Sequence, residues 1–249
     1  MPLWAPGPFY SYTTGYTPAE MRDALTDLED FILENGPFDC VFGFSQGASL
    51  AAAYILDYQR KHHQDTSRPP FGFAVFFSPV VVFSPETADC RQLVQGILDD
   101  SSLAFRESFP NIKEFDLANM KNQKQRTFAR YLAKSIQSLD ASGVGRDVVD
   151  YGFFGRMDCL SDDVPRPLHP QLVKDRIGIP TVHITGKRDL DMFLDQSDKL
   201  QQLCESSLTR ASKHPGGHGI PTKKAEVRVV VDLIEWAYME SLTTGKLML

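Results

Sequence analysis

The sequence lacks the cysteine pattern of a disulfide framework or a metal site. Its four cysteines, Cys40, Cys90, Cys159 and Cys204, are widely spaced, and none belongs to a C-x-x-C pair. In a chain of 249 residues this usage is typical of single thiols in a reducing compartment. We therefore expect a cytoplasmic protein.

Long apolar runs and an excess of positive charge are also absent. No apolar stretch approaches the roughly 20 residues that a membrane-spanning helix needs. The first residues, MPLWAP, lack the basic and continuous apolar regions of a secretory signal. The net charge of −6 argues against a general nucleic-acid binder, which would carry a basic footprint. We expect neither nucleic acid nor a membrane as a partner.

What the sequence does contain is an alternation of short apolar segments and helical segments. Four segments are typical of strands: residues 38–42, 72–77, 181–185 and 207–211. About 100 residues separate the second of these segments from the third. Three helices are indicated by caps and periodicity, at about residues 17–35, 48–56 and 222–241. Strands that alternate with helices predict a doubly wound, mainly parallel α/β sheet within one domain spanning residues 1–249.

One long segment, residues 84–170, lies between two predicted strands and contains no strand pattern of its own. It includes one clear helix, from about Ala118 to Leu139. A long insertion between two strands can form a lid over a site at the edge of the sheet, and we predict a helical lid here.

The pentapeptide Gly43-Phe44-Ser45-Gln46-Gly47 lies between the first predicted strand and an alanine-rich helix. A strand, a G-x-S-x-G turn and a helix together form the nucleophile elbow of an α/β-hydrolase. Such a turn holds the serine in a strained conformation, and the flanking glycines keep Cβ atoms out of the crowded crossing. Ser45 is therefore the candidate nucleophile.

A serine nucleophile needs a base, which is usually a histidine oriented by a carboxylate. In this fold the chain order is serine, acid, histidine. Asp189 follows the third strand and is the candidate acid, with Asp191 as the rival two residues further on. The candidate base is His218, in the glycine-rich loop after the last strand. His183 lies within a strand and is expected to be a core residue.

The histidines do not form a recognisable metal-binding motif. His214 and His218 are four residues apart, but Pro215 and two glycines exclude the helix that such a ligand pair requires. We expect no metal and no cofactor. The backbone N–H of Gln46, the residue after the nucleophile, is the expected oxyanion donor. Only irregular sequence and one helix precede the elbow, so the sequence indicates no second donor.

Taken together, these motifs resemble the fungal serine hydrolase family, which includes the LovG-type thioesterases of polyketide gene clusters. The similarity is found in Gly36 to Asp39, Gly43 to Ala48, Ile179 to Asp189, and His214 to Pro221 as H-x-G-G-H-x-x-P. The resemblance implies Ser45, Asp189 and His218 as a catalytic triad. It also implies hydrolysis of an ester or thioester, and in some relatives release of a polyketide.

The chain departs from this family at its amino terminus. Family members begin with a strand that ends in a Leu-His-Gly-type loop, which lines the oxyanion hole, and this chain has no such segment. We expect an amino-terminally shortened fold with missing strands, in preference to a substitute supplied by residues 1–16. Loss of one oxyanion donor costs roughly 10²–10³ in turnover.

Three functions follow from the sequence. The first is a thioesterase or esterase that releases or trims an acyl or polyketide product. The second is a general carboxylesterase acting on small-molecule esters, and the third is a non-catalytic binding or scaffold protein derived from the same fold. For the first, a basic stripe on the predicted lid helix could bind an acidic acyl carrier domain of a polyketide synthase: Lys121, Lys124, Arg126, Arg130 and Lys134.

Overall fold

The structure is a computed structural model, and it describes residues 11–63, 69–118, 120, 122–142, 153–156 and 158–243. The described residues divide into two compact units. One comprises those of Met1–Ala24 and Phe83–Pro167, and the other those of Leu25–Val82 and Leu168–Leu249. The prediction of one domain with a lid at residues 84–170 stays a prediction.

Four parallel strands form the sheet, in the order β1-β2-β3-β4: Cys40–Phe44, Phe73–Phe77, Thr181–Gly186 and Thr209–His214. All four predicted strands are present. β1 begins and ends two residues later than predicted, because Gly43 and Phe44 continue the ladder opposite Phe76 and Phe77. β4 also lies further along the chain, since residues 206–208 form a 3-10 turn.

Eight helices occur within the described residues, and they are numbered α1 to α8 in chain order: Pro18–Asn35, Gln46–Lys61, Arg91–Asp100, Leu103–Ser108, Glu114–Ala118, Gln123–Ser142, Asp191–Gln202 and Lys224–Thr243. The predicted capping box of α1 is confirmed, because the Thr17 N–H donates to Glu20 Oε2 at 3.0 Å and the Glu20 N–H donates to Thr17 Oγ1 at 3.3 Å. The predicted lid helix begins later than expected: Ala118 ends α5, and α6 starts at Gln123.

Helices cover both faces of the sheet. On one face, Val230 and Ala237 of α8 pack in a buried cluster with alternate residues of β2 and β3, including Val75 and Val182. Helix α2 lies on the other face, as shown by Gly43 of β1: a Cβ built on this residue would point at the backbone of Ala48 in α2. The fold is thus the predicted doubly wound α/β sheet of an α/β-hydrolase.

The described part of the segment between β2 and β3 contains the four helices α3 to α6, and the predicted helical insertion is present. Helix α6 buries one stripe at helical spacing, formed by Phe128, Leu132, Ile136 and Leu139. Within the described part of residues 84–170, no strand occurs, and Pro167 forms an isolated antiparallel bridge with Phe83.

The prediction that strands are missing before the elbow can be compared with the structure only from residue 11 onward. Residues 11–17 precede α1 and form no strand, whereas residues 1–10 lie outside the described residues. Among the helices of the described residues, none has both the length and the apolar character needed to cross a lipid bilayer.

Candidate active site

Ser45 lies at the junction of β1 and α2, where the chain turns sharply from strand to helix. Its φ of 51° is in the left-handed region, which a residue other than glycine rarely adopts. The predicted strained conformation of this serine is therefore present. Gly43 is needed beneath it, because a Cβ there would stand 2.6 Å from the Ala48 backbone nitrogen.

Three sequence-predicted side chains meet at the carboxyl ends of the strands. His218 Nε2 lies 2.9 Å from Ser45 Oγ, and His218 Nδ1 lies 2.8 Å from Asp189 Oδ2. A carboxylate only accepts, so the proton of a neutral imidazole belongs on Nδ1. Nε2 is then free to accept the serine proton. This arrangement can activate the hydroxyl of Ser45 as a nucleophile.

The aspartate that contacts His218 is Asp189 and not its rival. Asp189 Oδ1 accepts the Leu190 N–H at 2.8 Å while Oδ2 accepts from His218. The side chains of His218 and Asp189 are only 3 % and 2 % exposed. Asp191, in contrast, begins α7 and is exposed. Burial protects the Asp189–His218 hydrogen bond from competition with water.

The turn with Asp189 and the loop with His218 are bonded to each other. The Lys187 N–H donates to His214 O at 2.8 Å, and the Arg188 N–H donates to Gly216 O at 2.9 Å. The Arg188 side chain adds a third bond, from Nε to Pro215 O at 2.7 Å. These bonds hold Asp189 and His218 close together, because each residue lies within a few positions of an anchored one.

Two aromatic rings contact the His218 imidazole, and sequence reasoning did not identify them. The centroid of the Phe193 ring lies 4.8 Å from that of His218, and the centroid of Phe44 lies 5.4 Å away. Phe193 is buried on α7. The only signal in the sequence was the position of Phe44 beside the nucleophile. Both rings restrict the orientation of the imidazole.

Four other histidines lie outside the loop with His218. His183 is a buried core residue, as predicted, and its burial lowers its pKa to about 3. His62 and His63 follow the end of α2, and His169 is buried in a loop, where burial lowers its pKa. Within the part of the chain that the structure describes, no group of three or more potential metal ligands is present.

Gln46, the expected oxyanion donor, is the first residue of α2. Its backbone N–H therefore belongs to a helix N-terminus, where N–H groups and the helix dipole favour negative charge. The oxyanion role of Gln46 stays a prediction.

Comparison with known proteins identifies a family of serine hydrolases. The family model described as serine hydrolase (FSH1) matches residues 9–230. Esterase alnB of Emericella nidulans is 33 % identical over 235 residues, which cover 94 % of this chain and 79 % of that protein. Serine hydrolase cnsH of Penicillium expansum is 29 % identical, covering 95 % of this chain and 92 % of that protein.

Among solved structures, a monoacylglycerol lipase of Paleococcus ferrophilus matches with a TM-score of 0.42 and 15 % identity, over 88 % of this chain and 76 % of that chain. That likeness is weak, and the fold assignment depends instead on the strand order and elbow described above. The family match covers the elbow, the turn with Asp189 and the loop with His218. This chain belongs to the FSH1 family of serine hydrolases.

Proposed function

We propose that the protein hydrolyses an ester or thioester through an acyl-enzyme, with Ser45 as nucleophile, His218 as general base and Asp189 as the acid that orients it. One observation supports this above all: the hydrogen bonds from Ser45 Oγ to His218 Nε2 and from His218 Nδ1 to Asp189 Oδ2 form one continuous chain. An unbroken path lets His218 accept the serine proton as the new bond forms.

The proposed reaction has two halves. Ser45 Oγ attacks the acyl carbonyl, His218 takes its proton, and the leaving alcohol or thiol departs with that proton. Water then attacks the acyl-enzyme while His218 acts as base again, and the acid product is released with Ser45 restored. The Gln46 N–H stabilises the oxyanion in both halves, an interaction worth roughly 10²–10³ in turnover.

The substrate we propose is an acyl or polyketide thioester or ester of fungal secondary metabolism. The support is the resemblance to LovG-type thioesterases in the motifs around Ser45 and His218, together with a relative named as an esterase. A cytoplasmic location belongs to the same proposal, since the four cysteines are thiols and not disulfides.

The test of the nucleophile is covalent labelling. A fluorophosphonate probe should label the wild-type protein, and Ser45→Ala should abolish labelling because it removes the hydroxyl that lies 2.9 Å from His218 Nε2. Ser206→Ala, which removes an exposed serine of a 3-10 turn, is the matched control and should label normally. Labelling of folded Ser45→Ala at the wild-type rate would overturn the assignment.

A general carboxylesterase is the second candidate, favoured by the similarity to esterase alnB. Two thioester substrates, acyl-CoA and acyl-N-acetylcysteamine, compared with p-nitrophenyl esters, distinguish the two candidate functions. Preference for the thioesters by at least tenfold in kcat/KM supports the first function, and preference for the free esters supports the second.

A carrier-bound substrate would need a docking surface, and α6 offers a basic one. Lys124 and Lys134 of α6 are exposed, whereas Arg126 and Arg130 are partly buried and Lys121 lies outside the described residues. We propose that this helix binds an acidic acyl carrier domain by charge complementarity. Long-range attraction of this kind raises the association rate and weakens with salt.

Charge reversal tests the docking surface. The double variant Lys124→Glu and Lys134→Glu should lower kcat/KM for a carrier-bound thioester and leave small esters unchanged. Lys224→Glu, at the start of α8, applies the same charge change at another exposed site and should have no effect. Equal loss on carrier-bound and small substrates would contradict docking.

A further inference from the structure

The loop from His214 to Gly219 is organised around the imidazole of its first residue. His214 ends β4 and is 8 % exposed, so its ring is buried within the molecule. The Gly216 N–H donates directly to His214 Nδ1 at 3.1 Å. On the other side of the ring, His214 Nε2 lies 3.1 Å from the carbonyl oxygen of Gly219.

These two bonds determine the protonation of the ring. A nitrogen that accepts an N–H bond has no proton, so Nδ1 is unprotonated. A carbonyl oxygen only accepts, so Nε2 has the proton and donates it to Gly219. His214 is therefore a neutral imidazole with both nitrogens bonded to the backbone of its own loop.

The two anchored positions lie on either side of His218. Gly216 precedes it by two residues, and Gly219 follows it directly. The fit at Gly216 is tight, since a Cβ there would stand 2.7 Å from Nδ1 and Cε1 of the His214 ring. Gly216 O and His214 O also accept the N–H bonds of Arg188 and Lys187. The ring thus occupies the interior of the loop that presents His218.

We propose that His214 is a positioning residue, whose neutral imidazole holds Gly216 and Gly219 and so fixes the reach of His218 to Ser45 and Asp189. The inference rests on the proposed function, because it assigns to His218 the role of base. His214 itself contacts no reacting atom. Its effect is on turnover, since misplacing a catalytic group by about 1 Å can cost about 10²-fold in rate.

Three substitutions at His214 test the two bonds. His214→Phe keeps a ring and removes both bonds, and should lower kcat about 10²-fold with little change in KM. His214→Asn places an acceptor near the Nδ1 position, and His214→Gln places a donor near the Nε2 position. Each keeps one bond, so each should lose only about five- to tenfold in kcat.

A matched control comes from His169. It is also 8 % exposed, and its Nδ1 likewise accepts the N–H of the residue two positions on, Gln171, at 3.2 Å. It lies outside the loop that presents His218. His169→Phe should therefore keep kcat within about twofold of wild type, because the same kind of bond is lost without moving the base.

The measurement is kcat per active site, with sites counted by the end point of fluorophosphonate labelling. Counting sites removes the contribution of unfolded molecules, so a purely structural role would leave this value unchanged. The labelling rate constant should fall in parallel with kcat. The NMR resonance of the His218 Nδ1 proton, identified by its loss in Asp189→Asn, should shift in His214→Phe and stay unchanged in His169→Phe.

The outcomes separate the two proposals. If wild type labels at Ser45 and the His214 variants keep wild-type kcat per site, the positioning role is wrong and the proposed function stands. If wild type does not label, or folded Ser45→Ala still does, both fall. If His214→Phe does not fold, His214→Asn and His214→Gln decide the matter, and unchanged kcat in both overturns the role.

Discussion

Gly186 lies so close to the backbone of Gly217 that position 186 has no room for a side chain. A Cβ at position 186 would stand 2.5 Å from Gly216 O and closer still to Gly217 O. The end of β3 and the loop with His218 therefore fit together backbone against backbone. Because these atoms cannot move aside as a flexible side chain would, the space at position 186 helps to set the geometry of the site.

Gly186→Ala should therefore disturb both stability and turnover. Inserting a methyl group into a packed region costs about 1–3 kcal/mol of unfolding free energy, and here it also displaces the loop with His218. Urea denaturation and steady-state kinetics measure the two effects. Gly219→Ala is the control, since a Cβ at that position in the same loop meets no atom within 4 Å. Wild-type stability and kcat in Gly186→Ala would contradict the close fit.

Asp189→Asn should lower kcat by about 10⁴-fold, the effect of the equivalent change in a serine protease triad. The amide can donate to His218 Nδ1, which favours the tautomer with its proton on Nε2 and so removes the acceptor for Ser45. Asp191→Asn changes the rival aspartate, which is exposed on α7, and should leave kcat nearly unchanged. Similar losses in both variants would show that the contact of Asp189 with His218 has no special role.

Phe193→Leu should weaken the orientation of the base. An aromatic pair contributes about 0.5–1.5 kcal/mol beyond its buried area. If that energy holds His218 in place, kcat should fall by about 2- to 10-fold with KM unchanged. Phe71→Leu makes the same change at a buried ring that contacts Tyr54, and it should affect stability alone. An unchanged kcat in Phe193→Leu would limit Phe193 to packing.

His183 should make stability depend on pH. Its pKa is about 3 in the folded protein because burial disfavours the charged ring, against about 6.5 when unfolded. Below pH 6.5 the unfolded chain binds a proton that the folded protein refuses. The contribution of His183 is thus fully present above pH 6.5 and is lost as the pH falls towards 3, by about 1.4 kcal/mol per unit well below 6.5.

The comparison with His183→Gln isolates this effect. The difference in unfolding free energy between wild type and variant should change with that slope from pH 6 to 5, whatever the fixed cost of the substitution. His63→Gln, at a position outside the core, should follow the wild-type pH dependence. A pH-independent difference between wild type and His183→Gln would show that His183 is protonated equally in both states.

Local patterns were sufficient to predict several elements of this protein. The elbow at Ser45 depends on a strand, two glycines and a helix that are neighbours in the chain, so its geometry is encoded within about 15 residues. The same holds for the capping box of Thr17 and Glu20 and for the glycine-rich loop around His218. Each depends on backbone preferences and short-range hydrogen bonds, which the sequence displays directly.

Tertiary structure decided the features that depend on distant segments. The sequence favoured Asp189 and left Asp191 as its rival, and the register of β3 and β4 brings only Asp189 to His218 in a buried hydrogen bond. The contacts of Phe193 with the imidazole and of Arg188 with Pro215 likewise join residues at least 25 positions apart. Sequence determined which side chains were available for the chemistry. Packing determined which of them meet, because a hydrogen bond requires distances that only the folded chain sets.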